Sequence, residues 1–385
     1  MQLALSEEQS LIQETARKFS EAELAPVAAS LDSGNGREQY LSNLKNMADL
    51  GLMGINVSDD FGGTDAGVVA FSVAMTEVAK GCASTAVSMS VTNLVAEVIQ
   101  AIGSDEQKAT YIPRLCDGTY PAGSFCLSEA GAGSDPSSVQ TKAVKDGDEW
   151  ILDGTKMWIS SAEFAGLFVV WAVTDPDAPK GKGITCFLVE RDTPGLSIGP
   201  SEKKLGQRAS PTNPVIFEQC RVPASAILGQ LNDGFRIAVA ELTGGRIGIG
   251  SLALGVASAA MDYATRYITE REQFDTKISD FQGIQWMLAD TYTELEAARL
   301  LLMNAAYLKE NDLPFAKQAS MAKLFSTEAA NRACYQAIQL MGGLGYTEEV
   351  PLERYARDVR VTSIYEGTSE IQRVIIAREI LREFD

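Results

Sequence analysis

Histidine is absent from all 385 residues. That removes the commonest general base, the Ser–His and Cys–His dyads and the usual zinc ligands together. Proton transfer must therefore fall to carboxylates, Lys, Tyr or Cys, and no metal site is expected. Cysteine is sparse: Cys82, Cys116, Cys126, Cys186, Cys220 and Cys334 never stand two residues apart, and several lie in apolar runs. This is the pattern of buried small hydrophobes in a reducing compartment. Basic charge is also short. With 33 Lys and Arg against 51 Asp and Glu the net charge is −18, the pI is near 4.6, and no long basic block interrupts the field. Such a chain repels nucleic acid phosphates and anionic lipid heads, so neither nucleic acid nor a membrane surface is an expected partner. The first residues, MQLALSEEQSLIQETARKF, carry acids early and offer no apolar run long enough for a signal or a membrane span. A cytoplasmic enzyme is predicted.

At this length two or three packed domains are expected. Ser6 and Gln9, three apart before Leu11, Ile12, Ala16 and Phe19, read as a capping box opening a helix. Helical stretches follow over 38–50, 68–79 and 84–103, broken by a glycine-rich segment from Gly51 to Gly67, which predicts an all-α domain over residues 1–120. From Pro121 the texture turns to short β-branched and aromatic runs over 140–145, 150–153, 168–173, 184–189 and 215–217. Asp146-Gly147 and Asp153-Gly154 are hairpin signals, and Thr193-Pro194-Gly195 is another turn. An antiparallel β domain over 121–229 is predicted. Long helical patterns then return. Ile284, Met287, Leu288, Leu295, Ala298 and Leu302 fall on one helix face, and residues 230–385 are predicted to form a helical bundle. The fold class is thus mainly α with a central β domain.

Three segments could carry chemistry. Gly131-Ala132-Gly133-Ser134-Asp135 resembles a dinucleotide fingerprint, but Pro136 stands where the third glycine belongs and no βαβ unit follows, so a nicotinamide Rossmann site is disfavoured. Its small residues still permit close backbone approach to a flat or phosphorylated ligand, although an ordinary domain-joining turn has the same composition. Lys156-Met157-Trp158-Ile159-Ser160-Ser161 sets an indole beside two hydroxyls. An indole can pack on an aromatic cofactor while a hydroxyl satisfies a ring heteroatom, or it can simply fill a core. Near the end, Ile364-Tyr365-Glu366-Gly367-Thr368-Ser369-Glu370 places a carboxylate at a bend before a helix that Thr368 or Ser369 could cap. Desolvation beside Tyr and Ile would raise Glu366 toward the working range of a base, whereas most acids at helix starts only answer the dipole.

Read in order, four motifs resemble the acyl-CoA dehydrogenase family over essentially the whole chain, most of all its short-chain, butyryl-CoA-type members. Phe125 to Asp135 resembles the first flavin signature and Lys156 to Ser160 the second. Arg271, Phe274 and Gln282 match an "RxxFG…FQ" segment. Gln339 to Gly343 with Gly345-Tyr346 matches "GGxGY", and Tyr365 to Arg373 matches the terminal "YEGTxxIQR". The resemblance implies a helical domain, a β domain and a helical bundle in a homotetramer built as a dimer of dimers, with FAD as cofactor. It implies that Leu127, Ser128, Trp158 and Ser160 surround the isoalloxazine, with Phe125, Gly133, Ser134 and Ile159 in the same loops. Arg271, Phe274, Gln282, Gln339, Leu340, Gly342 and Gly343 would reach FAD across a dimer interface, and Thr368 and Glu370 would lie near it within a subunit. Ser134, Thr243, Arg246, Tyr365 and Gly367 match substrate-side positions. The implied reaction converts an acyl-CoA to a trans-2-enoyl-CoA. Glu366 takes the α-proton, the β-hydride passes to flavin, and electrons leave to an electron-transfer flavoprotein.

Some branches of the family carry the base just before the residue matching Arg246. Here that position is Gly245, so Glu366 is the carboxylate that remains. Thr243 stands where several relatives have Asp, Asp275 replaces the usual glycine after Phe274, and Ser58-Asp59 replaces an early Pro-Glu. An acyl-CoA oxidase, a flavin monooxygenase of the same fold and a non-catalytic scaffold are the competing readings. Acyl length stays open.

Overall fold

The computed structural model describes residues 4–384. Its helices lie at both ends of the chain. The first set is α1 (Glu7–Phe19), α2 (Ala28–Asp32), α3 (Arg37–Asp49), α4 (Gly67–Gly81), α5 (Ala83–Ile102) and α6 (Asp105–Cys116). The capping box is present: Ser6 Oγ accepts from the Gln9 amide at 3.1 Å, and the Ser6 amide donates to Gln9 Oε1 at 3.0 Å. The Ser58 departure has a structural account. Its amide N–H, which proline could not supply, donates to Gln100 Oε1 at 2.7 Å and ties the glycine-rich segment to α5.

The strands are β1 (Gly123–Cys126), β2 (Lys142–Asp146), β3 (Glu149–Ser160), β4 (Leu167–Val173), β5 (Ile184–Glu190), β6 (Leu196–Ile198), β7 (Thr212–Pro223) and β8 (Ile227–Leu228). They form one sheet in the order β6-β7-β3-β2-β4-β5-β8, with β1 also on β4. The sheet is mostly antiparallel, but β1 and β2 each pair with β4 in parallel, which the turn chemistry did not foretell. Asp146-Gly147 makes the β2–β3 hairpin. Asp153-Gly154 does not turn the chain. It lies within β3 at a register shift, where Gly154 (φ 148°) takes a conformation that a Cβ would oppose, 2.7 Å from Thr141 Cα.

The second helical set is α7 (Gly234–Glu270), α8 (Gln282–Glu310), α9 (Ala316–Met341), α10 (Leu352–Arg360) and α11 (Ser369–Leu381), with the small hairpin β9 (Glu272–Gln273) and β10 (Thr276–Lys277) after α7. On α8, Leu295, Ala298 and Leu302 are buried, and Ile284, Met287 and Leu288 pack against the same core. One apolar core joins α1, α3, α4 and α5 to α7, α8 and α9. Two further clusters fill the faces of the sheet, and all six cysteines are buried free thiols. Helices α5 and α7 are long and apolar enough to cross a membrane, but 78% of each such window is inside the fold, as for core helices. A seam opens between the rim of the sheet and the loop before α11.

Candidate active site

That seam holds a cavity of about 610 Å³. The sheet side supplies Ser128, Gly133, Ser134, Trp158, Ser160 and the segment from Lys204 to Gln207. The helical side supplies Arg357, Arg360 and Ile364 to Thr368, and Val87 of α5 also reaches it. Trp158 gets there through a second irregularity of β3, between Lys156 and Ile159. With φ of 58° it drops out of the ladder and turns an indole that is 51% exposed toward the cavity. Gln207 (φ 49°) and Glu366 (φ 54°) also line it in left-handed backbone. Non-glycine residues held this way cost energy and cluster at functional sites.

Glu366 is the chemical centre of the cavity. The residue as a whole is only partly buried because its loop edges the opening, but Oε2 is shut off from solvent and has no hydrogen-bond partner among the described residues. Burial raises its pKa to about 7, against the pull of the Lys323 ammonium and the Arg246 guanidinium. Gly245 of α7 makes room for it: a Cβ there would stand 3.1 Å from Oε2. Arg246 is buried in mid-helix, its Nη1 donating to Ser320 Oγ at 3.1 Å. Its Nε has no partner among the described residues, and burial lowers its pKa to about 10 while Glu366 opposes the shift. Tyr365 Oη accepts from Gln207 Nε2 at 3.2 Å.

The two flavin-signature segments are clamped together by a buried ion pair. Lys156 Nζ donates to Glu129 Oε1 at 2.7 Å and to the Leu127 carbonyl at 3.2 Å. Glu129 also accepts from Thr141 Oγ1 and from the amides of Gln140 and Thr141. Burial pulls the Glu129 carboxyl up, but Lys156 and the Thr141 donors outweigh it and hold it below its ordinary value.

Of the residues singled out in the sequence, Ser128, Gly133, Ser134, Trp158, Ser160, Tyr365, Glu366, Gly367 and Thr368 meet at the cavity. Others are placed elsewhere. Phe125 packs at a tilt against Trp171 (ring centroids 4.3 Å apart) and is partly buried, while the Leu127 and Ile159 side chains are buried in the sheet clusters. Thr243 spends its hydroxyl on the Val239 carbonyl. Glu370 is exposed on the first turn of α11, which Thr368 caps. Arg271, Phe274, Gln282, Gln339, Leu340, Gly342 and Gly343 lie outside the cavity lining. Phe274 is 89% exposed at the tip of the β9–β10 hairpin, where Asp275 has φ of 57°, the conformation that explains the glycine usual there. Lys323, Gln207, Arg357 and Glu129 were missed in the sequence. A lysine amid the apolar run Ser320 to Phe325 was the one local signal for any of them.

Models of the acyl-CoA dehydrogenase N-terminal, middle and C-terminal domains match residues 6–119, 124–220 and 232–381. The chain is 46% identical over 384 residues to the mitochondrial short-chain specific acyl-CoA dehydrogenase of Rattus norvegicus, spanning 99% of this chain and 92% of that protein. Among solved structures it resembles butyryl-CoA dehydrogenase from Megasphaera elsdenii, with TM-score 0.95, 36% identity and coverage of 99% and 100%. It also resembles a chain from a structure described as the electron transferring flavoprotein of Acidaminococcus fermentans, with TM-score 0.96, 38% identity and coverage of 99% and 100%.

Proposed function

The chain belongs to the acyl-CoA dehydrogenase family of FAD-dependent oxidoreductases, and from that premise we propose that it converts a short acyl-CoA to the trans-2-enoyl-CoA with Glu366 as the base. The observation that carries the assignment is Glu366, which lines the same cavity as Trp158 and whose Oε2 is desolvated and has no hydrogen-bond partner among the described residues.

The residues present fit the cofactor. The Trp158 indole offers a flat face, Ser128, Ser160 and Thr368 bring hydroxyls to the same cavity, and a Cβ at Gly133 would meet nothing within 4 Å, leaving backbone open to close approach. Bound FAD supplies a hydride acceptor for the β-carbon of the thioester. The α-proton is too weakly acidic to leave unless the thioester oxygen is stabilised as negative charge grows on it. The Glu366 amide is suited to donate there, since it bonds to no acceptor among the described residues. Its carboxylate takes the proton on the same loop. An acyl chain filling the cavity expels water and strengthens both effects.

A short acyl group is supported by α7 as well as by the relatives. One turn beyond Gly245, a Cβ on Gly248 would lie 2.7 Å from Ser90 Oγ and 3.2 Å from the Phe71 ring, so the helix surface is already covered there. The likeness to the electron transferring flavoprotein structure supports such a protein as the electron acceptor. We further propose that Arg271, Phe274 and the Gln339–Gly343 turn complete the cofactor site of a second subunit in a tetramer.

The test is an anaerobic titration of the flavin absorbance with thioesters from propionyl to lauroyl, plus branched and aromatic members. Bleaching by the short group supports the proposal. Bleaching by none of them would remove the dehydrogenase reaction, and bleaching confined to long chains would remove the short-chain assignment.

A further inference from the structure

Lys323 lies on α9 and is fully buried. A buried ammonium is costly unless it is paired, and among the described residues this one forms no salt bridge with a carboxylate. Its hydrogen bonds go to two main-chain carbonyls, Tyr365 O at 2.9 Å and Gly367 O at 2.7 Å, which bracket Glu366. Between them the backbone runs through two consecutive left-handed residues, Glu366 at 54° and Gly367 at 88°. Such a turn does not hold itself, least of all at a glutamate. Gln372 adds a second brace from α11, donating to the carbonyls of Gly367 at 2.9 Å and Glu366 at 3.3 Å. One turn before Lys323 on α9, Ser320 accepts from Arg246, so a single helix face supports both cations that act on the carboxylate.

We propose that Lys323 is the positioning residue of the catalytic loop: by clamping the carbonyls on either side of Glu366 it fixes the turn that presents the base, and its charge opposes the burial of the carboxylate. The inference rests on Glu366 being the base. The charged groups acting on Glu366 are Lys323 from α9 and Arg246 from α7. Those acting on Lys323 are Glu366, Arg246, Glu328 of α9 and Glu370 of α11. Burial lowers the Lys323 pKa to about 8 and raises that of Glu366 to about 7, while the charge of each group opposes the shift of the other. Without Lys323, the carboxylate keeps the desolvation and loses one of its two compensating cations.

The experiment compares the FAD-loaded wild type with Lys323→Met and Lys323→Gln. It follows the pH dependence of flavin reduction by a saturating thioester in a single turnover, and amide hydrogen exchange over residues 364–368. Lys323→Met is expected to displace the acid limb upward by about one pH unit or more, to slow reduction at pH 7 by tenfold or more, and to speed exchange in the loop. Lys323→Gln keeps N–H donors for the carbonyls and loses the charge, so the limb moves while exchange stays near wild type. A folded, flavin-loaded Lys323→Met with either the limb or the exchange unchanged overturns the proposal. If that variant does not fold, an unmoved limb in Lys323→Gln overturns it. Glu366→Gln serves as the control: if that variant still reduces its flavin, the assignment of the base fails, which is a separate outcome from an unmoved limb in an enzyme that depends on Glu366.

Discussion

A carboxylate that takes a proton from carbon must be desolvated enough to bind it and still be ionised at the start. Glu366 has a pKa of about 7 because burial dominates and two cations restrain it. Its activity is therefore expected to fall as pH drops through about 7, where the base becomes protonated. The same shift acts on stability with a definite sign. A carboxyl whose pKa is higher in the folded chain than in the unfolded one favours folding at low pH, and that contribution is lost as pH rises through the folded value. Glu366→Gln keeps the uncharged shape, so at pH 8 it should be more stable than wild type by on the order of 1–3 kcal/mol, the gain vanishing below about pH 4. Turnover should drop by about three orders of magnitude or more. Thermal melts at the two pH values check the first claim, and a variant no more stable at pH 8 than at pH 4 would contradict it. Gly245→Ala probes the neighbour. Alanine favours mid-helix by roughly 0.5–1 kcal/mol, yet its Cβ would crowd Oε2 at 3.1 Å. Turnover is expected to fall about tenfold while the melting temperature holds or rises. A variant with wild-type kcat would show that the base has slack. Glu366 stood out in the sequence because its motif is one of four found in order, and the structure places it in the cavity lining. The role of Lys323 did not, since its place in the Ser320–Phe325 run hints only at burial and the carbonyls it holds lie more than forty residues away.

At the scale of elements, the site depends on irregular strands more than on regular ones. A continuous β3 would keep Trp158 in its ladder; the break between Lys156 and Ile159 re-aims it. The sequence showed an indole beside hydroxyls in a β context but not the bulge, because bulges are set by pairing with β7, and the pairing partner is distant in the chain. For the same reason Asp153-Gly154 misled: a dipeptide that favours a hairpin also suits a register shift. Lys156 and Glu129 stood inside quoted motifs, and only their contact reveals that they pin one motif to the other. Lys156→Met should leave Glu129 buried without its cation, a change that typically costs about 3–5 kcal/mol. It should also release flavin as the Leu127–Ser128 loop loosens. Denaturant unfolding with flavin content measured on the same sample tests this. A variant that keeps both stability and cofactor would mean that the Thr141 and Gln140 donors suffice for Glu129 alone.

At the scale of the whole molecule, the helical, β and helical order was legible from the change of periodicity along the chain. Arg271, Phe274, Gln282 and Gln339, matched to the family's motifs, do not line the cavity. All four are exposed, and large exposed apolar groups stand with them: Phe274, Trp286, Tyr335 and Tyr346. Gly342 and Gly343 keep their backbone open, with nothing within 4 Å of an added Cβ. Exposed apolar side chains of this size are what the proposed contact with another copy would cover. If that surface completes the FAD site of a neighbour, cofactor retention becomes a mass-action property of the assembly, stabilised by whatever stabilises the dimer. Arg271→Ala removes a guanidinium suited to phosphate oxygens, and it is expected to lower flavin per chain without changing the fold of the subunit. Dilution of the wild type should release flavin in step with dissociation, followed by light scattering and absorbance together. Full occupancy in Arg271→Ala, or flavin retained by a dissociated wild-type subunit, would place the whole cofactor site within one chain.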